Sequence, residues 1–118
     1  MKTIKLFSVL LFSIISLNSF SQANTVTKET IKVWGNCGMC KKKIEKAAKA
    51  AGATTASWDE DTQELKVAYN SSKSSSQKIQ QSIANAGYDT QDVTADAKAY
   101  KKLDACCKYD RKPVAPKQ

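Results

Sequence analysis

The hydrophobic periodicity of this chain switches from that of a strand to that of a helix twice. Residues 27–34 alternate apolar and polar side chains, as a half-buried strand does. From Cys40 the apolar side chains recur at the spacing of one helical face, and Gly52 supplies a natural helix end. Residues 53–58 and 63–69 then predict two further strands with a polar turn between them.

The second half of the pattern repeats the switch. Ile79, Ile83 and Ala86 share one helical face ahead of Gly87, and residues 88–94 predict a short final strand. The order βαββαβ in about 70 residues is typical of an α+β, ferredoxin-like fold, with two helices on one face of an antiparallel sheet. Its predicted core consists of Ile31, Val33, Ile44, Leu65, Val67, Ile79 and Ile83.

A C-terminal extension follows this unit. Near one helical face it places Ala97, Tyr100, Leu103 and Cys107, which predicts a short helix within residues 96–109. Both prolines of the chain come after that helix, in a basic tail that we expect to be frayed. We therefore predict a domain over residues 24–94 and an extension over residues 95–118 that carries a Cys-Cys pair.

The first residues predict a targeting segment. Lys2 and Lys5 precede an apolar run over residues 6–17. This run suits a signal peptide but is shorter than the roughly 20 residues that cross a bilayer. Ser21-Gln22-Ala23 fits a cleavage site, after Ala23 or, as the alternative, after Ser21. Residues 1–23 thus predict an exported protein, periplasmic or secreted, without stable membrane insertion after cleavage.

Sulfur is the most distinctive chemistry of the chain, which has four cysteines and no histidine. Cys37-Gly38-Met39-Cys40 lies between the first strand and the first helix, where both thiols can turn to one point. Free amides at the helix start should lower a thiol pKa from its usual value of about 8.5. Two thiolates suit low-coordinate Cu(I) or Hg(II), but fall short of the four ligands of structural zinc. We predict that Cys37 and Cys40 carry a soft ion.

Two other interpretations of Cys37 and Cys40 stay open. They could form a plain disulfide after export. They could also act as a thiol–disulfide oxidoreductase, because the run from Trp34 to Lys41 is similar to a thioredoxin active-site sequence. That fold needs a cis-proline, and residues 1–112 contain no proline. Without histidine, nucleophile elbow or phosphate loop, we expect a binding protein and not an enzyme.

The segments around the first cysteine pair resemble those of the heavy-metal-associated domain family. The similar runs are Gly35-Asn36-Cys37-Gly38-Met39-Cys40, Leu65-Lys66-Val67-Ala68-Tyr69-Asn70 and Ile83-Ala84-Asn85-Ala86-Gly87-Tyr88-Asp89. The family includes copper chaperones, N-terminal modules of copper ATPases and periplasmic mercury-binding proteins. The resemblance covers residues 27–94 and implies that Cys37 and Cys40 bind the ion.

The loop differs from the usual family pattern. The family reads Gly-Met-Thr/His-Cys before its first cysteine, whereas Gly35-Asn36 leads directly to Cys37 and the methionine, Met39, stands between the cysteines. Met39 is either a soft thioether ligand or a cap on the helix–sheet edge. The resemblance places Tyr88 where the family has an aromatic residue or a lysine near the metal loop, and a core aromatic is the alternative.

The second pair, Cys106-Cys107, is less defined. Adjacent Cα atoms lie about 3.8 Å apart, so a mutual disulfide would be strained. A return helix would carry both cysteines back toward Cys37 and Cys40, across the open face of the sheet. We predict that one or both of them join a site of three or four sulfurs. A staple disulfide to the domain and an independent thiol pair are the alternatives.

Charge narrows the partners. Lys and Arg number 19 against 11 Asp and Glu, a formal charge of +8. The lysines follow one helical face and the tail without aromatic residues between them, so we expect no nucleic acid and instead an acidic partner, such as a metal-transporting ATPase or efflux component. The combined prediction is an exported, monomeric protein that carries or buffers a soft ion by thiolate exchange. Cu(I) is the first candidate, with Hg(II) or Zn(II) as alternatives.

Overall fold

The computed structural model describes residues 25–113. The predicted signal peptide and the last five residues lie outside this range. The described chain forms strands β1 (Val26–Lys32), β2 (Ala53–Asp59) and β3 (Glu64–Asn70), helices α1 (Gly38–Ala50), α2 (Ser76–Asn85) and α3 (Ala97–Lys101), and a 3₁₀ turn over Ala105–Cys107. Within the described range, no helix combines the length and the apolar character that a bilayer span requires.

The sheet is antiparallel and its strand order is β1-β3-β2. Leu65 on the central strand pairs with Ile31 on one side and with Trp58 on the other, and all three side chains are buried. The helices cover this face, while side chains on the opposite face, such as Lys66, are exposed. All seven predicted core residues are buried. The predicted ferredoxin-like α+β fold, with two helices on one face of the sheet, is therefore confirmed.

The predicted final strand over residues 88–94 is wrong. Only Thr90 pairs with the sheet, as an isolated bridge to Val33. The backbone of Gln91 still donates to the Lys32 carbonyl at 2.9 Å, but the Lys32 amide is taken by the Gln91 side-chain Oε1, also at 2.9 Å. Thr90 then donates to the Val93 carbonyl at 2.8 Å, which turns the chain. Side chains thus replace part of the ladder, which stops after one bridge.

Helix α1 begins at Gly38, earlier than its apolar periodicity indicates. Cys37 is its N-cap, in an extended conformation. The first turn exposes Gly38 and Met39, so the apolar signal starts only at the buried Cys40. The glycines predicted to terminate α1 and α2 are confirmed. Gly52 follows α1 and Gly87 follows α2, with φ angles of 110° and 108°, which favour glycine.

The C-terminal extension is not one helix. Helix α3 ends at Lys101, and the chain resumes as the 3₁₀ turn over Ala105–Cys107. The extension packs beside the end of α2, where Leu103 approaches Gly87, and beside α1, where Asp104 reaches Lys43. The prediction that it crosses the open face of the sheet is therefore wrong, because its buried side chains dock at the end of the domain that holds the cysteine loop.

Gly35 leaves no room for a side chain just before the cysteine loop. A Cβ atom there would lie 2.8 Å from the Trp58 ring and 3.0 Å from Ile44 Cδ1. Gly35→Ala should therefore lower the free energy of unfolding by about 1–3 kcal/mol, as overpacking does. Gly38→Ala is the matched control, since its Cβ would meet nothing within 4 Å. Urea unfolding of the reduced proteins measures both, and equal stability of the two variants would contradict this packing.

Candidate metal centre

Three of the four cysteine sulfurs meet at the start of α1. The Sγ atoms of Cys37 and Cys40 are 4.0 Å apart. Cys107 of the 3₁₀ turn joins them, and the three Sγ atoms all lie within 4.8 Å of one another. Cys40 and Cys107 are fully buried, whereas Cys37 is partly exposed. The structure thus brings together three of the four predicted ligands, and their binding of an ion stays a prediction.

The fourth predicted ligand, Cys106, lies on the outside of this group. Its side chain is exposed, with Sγ 3.8 Å from the Cys107 sulfur and 3.7 Å from the Met39 thioether. All four thiols are free in the structure. The 3₁₀ turn makes the difference, because neighbouring side chains on a helical turn point in different directions. Cys107 therefore turns into the domain, and Cys106 turns toward solvent.

The start of helix α1 brings the thiols of Cys37 and Cys40 together. Cys37 caps the helix, and its carbonyl accepts the Lys41 amide at 3.0 Å. Cys40 lies three residues later, so both side chains fall on the same side of the first turn. Asn36 connects this loop to the extension: its Nδ2 donates to the Cys106 carbonyl at 3.1 Å. The Cys37 thiol also reaches that carbonyl, at 3.5 Å.

The Cys37 and Cys107 thiols differ in acidity. The backbone amides of Cys40 and Met39, at the helix start, lower the pKa of Cys37. Burial, followed by the neighbouring Cys40, raises the pKa of Cys107 to about 12. Cys37 therefore ionises more readily than Cys107. Cys107 keeps its proton at neutral pH until a cation replaces it.

Tyr88 lies against the thiols, as the family resemblance implies. Its side chain is fully buried, and its hydroxyl has no hydrogen-bond partner of good geometry among residues 25–113. Burial first, and then the Cys40 and Cys107 thiols, raise its pKa above the usual value. A buried hydroxyl without an acceptor is costly. Here it is a donor close to sulfurs that become acceptors once they are deprotonated.

A buried ion pair holds the extension in place. Arg111 donates to both carboxylate oxygens of Asp89, at 2.7 and 3.0 Å, and to the Ala95 carbonyl at 2.6 Å. The Asp89 side chain is fully buried. The Tyr109 hydroxyl donates to the Gly87 carbonyl at 2.7 Å and accepts the Asp89 amide at 2.8 Å. We call Asp89, Arg111 and Tyr109 the tail clamp, because they fix the segment that contains Cys107.

Sequence reasoning missed the tail clamp. Arg111 stands in a segment that reads as a frayed basic tail, and Asp89 as part of a short strand. Bidentate pairing of residues that are 22 positions apart leaves no periodic signal. The tyrosines of the extension are the one sequence signal that could have indicated its docking on the domain. Tyr109 stacks on Tyr88 with ring centroids 5.6 Å apart, and Tyr100 meets its edge at 5.1 Å.

Comparisons with known proteins agree on one family. The family model for the heavy-metal-associated domain matches residues 36–89. Among solved structures, the CopZ metallochaperone is 30% identical, with a TM-score of 0.52 over 54% of this chain and 98% of its own. Oxidized MerP from Ralstonia metallidurans CH34 is 26% identical, with a TM-score of 0.53 over 56% and 94%. This chain belongs to the heavy-metal-associated domain family.

A third solved structure matches a similar share of this chain. A protein assigned as copper-ion-binding, from Bacillus anthracis str. Ames, is 28% identical, with a TM-score of 0.54 over 58% of this chain and 99% of its own. The comparison with curated proteins gives no match. The family match ends at residue 89, so Cys106 and Cys107 belong to a part of the chain that the family model does not include.

The tail clamp should make stability depend on pH. Burial alone would raise the pKa of Asp89, but Arg111 and the Ala95 amide hold it below its ordinary value of about 3.9. A carboxyl with a lowered folded-state pKa stabilises the fold above the unfolded-state pKa, and this stabilisation is lost as pH falls through the folded value. Asp89→Asn should cost about 2 kcal/mol at pH 7 and progressively less below pH 4.

Urea unfolding at pH 7 and at low pH measures this difference. Asp96→Asn is the matched control, because Asp96 is exposed and its side chain makes no capping hydrogen bond at α3. This control should differ little from the wild type at either pH. A deficit of Asp89→Asn that stays the same from pH 7 to pH 2 would show that the carboxylate does not supply the stabilisation.

Proposed function

We propose that this protein is an exported carrier or buffer of a soft metal ion, foremost Cu(I), which Cys37, Cys40 and Cys107 bind as thiolates. The ion enters and leaves by exchange of thiolate ligands, without chemical change, so the protein is not an enzyme. The single observation that carries the proposal is the convergence of three thiol sulfurs within 4.8 Å at the loop of a heavy-metal-associated domain.

The spacing of the sulfurs suits a three-coordinate ion. With metal–thiolate bonds of about 2.3 Å, the sulfurs of a planar trigonal site lie about 4.0 Å apart, and those of a linear site about 4.6 Å. The Cys37–Cys40 distance is 4.0 Å. Soft thiolates favour Cu(I), and Hg(II) is the nearest alternative. Zn(II) would require a fourth ligand.

The acidity of the thiols suggests an order of exchange. Cys37 is partly exposed and has the lowered pKa, so it meets the incoming ion or a partner's thiol first. The buried Cys40 and Cys107 follow as the ion moves inward, and each thiol releases its proton when it binds. A partner's thiol can then take the ion by displacing these ligands one at a time, beginning at Cys37.

Charge favours an acidic partner. Lys42, Lys46 and Lys49 are exposed along one side of α1, the helix that begins at the thiols. An acidic surface could dock on this stripe and be steered to the site. A domain of a metal-transporting ATPase or of an efflux component has the required chemistry, since it would offer its own thiols. Transfer of the ion to the partner should therefore be faster at low salt than at high salt.

Competition for Cu(I) with a chelator tests the assignment of ligands. We expect Cys37→Ser, Cys40→Ser and Cys107→Ser each to lower the affinity for the first Cu(I) by at least about tenfold, which is about 1.4 kcal/mol. Ala105→Ser is the matched control, because Ala105 is exposed in the same 3₁₀ turn and has no sulfur. Its affinity should equal that of the wild type.

Two results would count against this function. Fully reduced protein that does not bind Cu(I) or Hg(II) would reject it outright. Robust turnover in an insulin-reduction assay would favour the thiol–disulfide oxidoreductase alternative for Cys37 and Cys40. Full affinity of Cys107→Ser would limit the site to the two cysteines of α1.

Tyr88 tests the role of the buried hydroxyl. Without an acceptor in the free protein, the hydroxyl is a cost, so Tyr88→Phe should raise the stability of the metal-free form by about 1 kcal/mol. The same change should lower Cu(I) affinity by about tenfold, because the donor to the thiolates is gone. Tyr69→Phe is the control: Tyr69 donates to Glu29 at 3.0 Å, so it should lose stability and keep its affinity. Unchanged affinity of Tyr88→Phe would reject this role.

A further inference from the structure

A second group of sulfurs lies outside the three-thiol site. The exposed Cys106 Sγ is 3.7 Å from the Met39 Sδ and 3.8 Å from the Cys107 Sγ. Cys107 therefore belongs to both groups, with Cys37 and Cys40 on its inner side and with Cys106 and Met39 on its outer side. The sulfurs form a continuous series from solvent to the buried site.

Packing does not explain the position of Met39. It is 45% exposed in the first turn of α1, and among residues 25–113 it is one of two large apolar residues that are exposed to this degree. A flexible thioether would be more stable against apolar neighbours. Here its sulfur instead lies beside the sulfur of Cys106, which belongs to the C-terminal extension. Thioether and thiolate sulfurs are both soft ligands.

The two segments are held together by polar contacts and not by the sulfurs of Met39 and Cys106. Asn36, just before the cysteine loop, donates to the Cys106 carbonyl, and the Cys37 thiol reaches the same oxygen. Beyond the turn, Tyr109 and Arg111 fix the chain through the tail clamp. The outer sulfurs are therefore positioned before any ion arrives, which reduces the entropic cost of binding.

We propose that Cys106, Met39 and the shared thiol of Cys107 form an outer soft-metal site, which binds a second monovalent ion beside the one in the inner site. Two of their three spacings, 3.7 Å from Cys106 to Met39 and 3.8 Å from Cys106 to Cys107, approach the roughly 4.0 Å of three sulfurs around a soft ion. The Cys106 thiol gives its proton to solvent as its bond to the ion forms. Cys107 then bridges two ions as a thiolate.

The outer site also provides a route inward. An ion held by Cys106 and Met39 already contacts Cys107, so it moves to the inner site by exchanging one sulfur at a time. Each step breaks one metal–sulfur bond and forms another, with no change in oxidation state. The proposal rests on the proposed function, because the route leads to the three-thiol site.

Silver titration tests the outer site. Ag(I) is a closed-shell analogue of Cu(I). The full chain is purified from the cells that produce it and is fully reduced before the titration. Native mass spectrometry in the presence of a competing chelator should show two Ag(I) ions per monomer. Cys106→Ser and Met39→Leu should each weaken the second equivalent by at least tenfold, and Ala105→Ser should bind both ions as the wild type does.

A second readout places the ion. The methyl carbon resonance of Met39, identified by its loss in Met39→Leu, should shift with the second equivalent of Ag(I) and not with the first. Two ions bound equally well by Cys106→Ser and Met39→Leu would overturn the outer site, as would a second ion found only in dimers. Failure to bind even the first ion would reject the proposed function itself. Binding of the first ion alone would reject only the outer site.

Discussion

The buried carboxylate of Asp89 decides where the third thiol lies. A carboxylate loses its hydration when it is buried, so it must be paired and hydrogen-bonded. Here Arg111 supplies two charged hydrogen bonds and Ala95 a backbone amide. Both partners come from beyond the end of the family match, at residue 89. The electrostatic requirement of one domain residue therefore ties the extension to the domain, and Cys107 stands within the tied segment.

The edge of the sheet beside Asp89 is irregular. A regular fourth strand would direct the backbone polar groups of residues 88–94 toward β1. Here the Gln91 side chain accepts the Lys32 amide of β1 and the Tyr109 hydroxyl accepts the Asp89 amide, while backbone hydrogen bonds remain from Gln91 to Lys32 and from Trp34 to Asp89. The strand is reduced to the single bridge between Val33 and Thr90. The sheet loses ladder hydrogen bonds, and the extension gains a docking surface at the end that carries the thiols.

Local periodicity predicted the elements whose formation depends on residues close together in the sequence. The strands β1 to β3, the helices α1 and α2, and the seven predicted core residues follow from spacing alone, because one face of each element must leave water. The placement of Cys37 and Cys40 follows from the strand-to-helix junction. The docking of the extension could not be predicted in the same way, because it depends on Asp89 meeting Arg111, and on a helix that breaks after Lys101. That break turns Cys107 inward and leaves Cys106 outside.

Under the proposed function, a third thiolate changes how readily the carrier releases its ion. With two ligands at the surface, a partner's thiols can displace the protein ligands in few steps. A buried third ligand must be displaced as well, so the ion leaves more slowly, and affinity among related sites is set largely by the rate of leaving. The raised pKa of Cys107 acts in the opposite direction, because a proton that returns to this thiol helps to release the ion. Under the proposed function, the extension therefore moves the protein from rapid delivery toward retention, and a partner that supplies both a thiol and a proton would recover the ion.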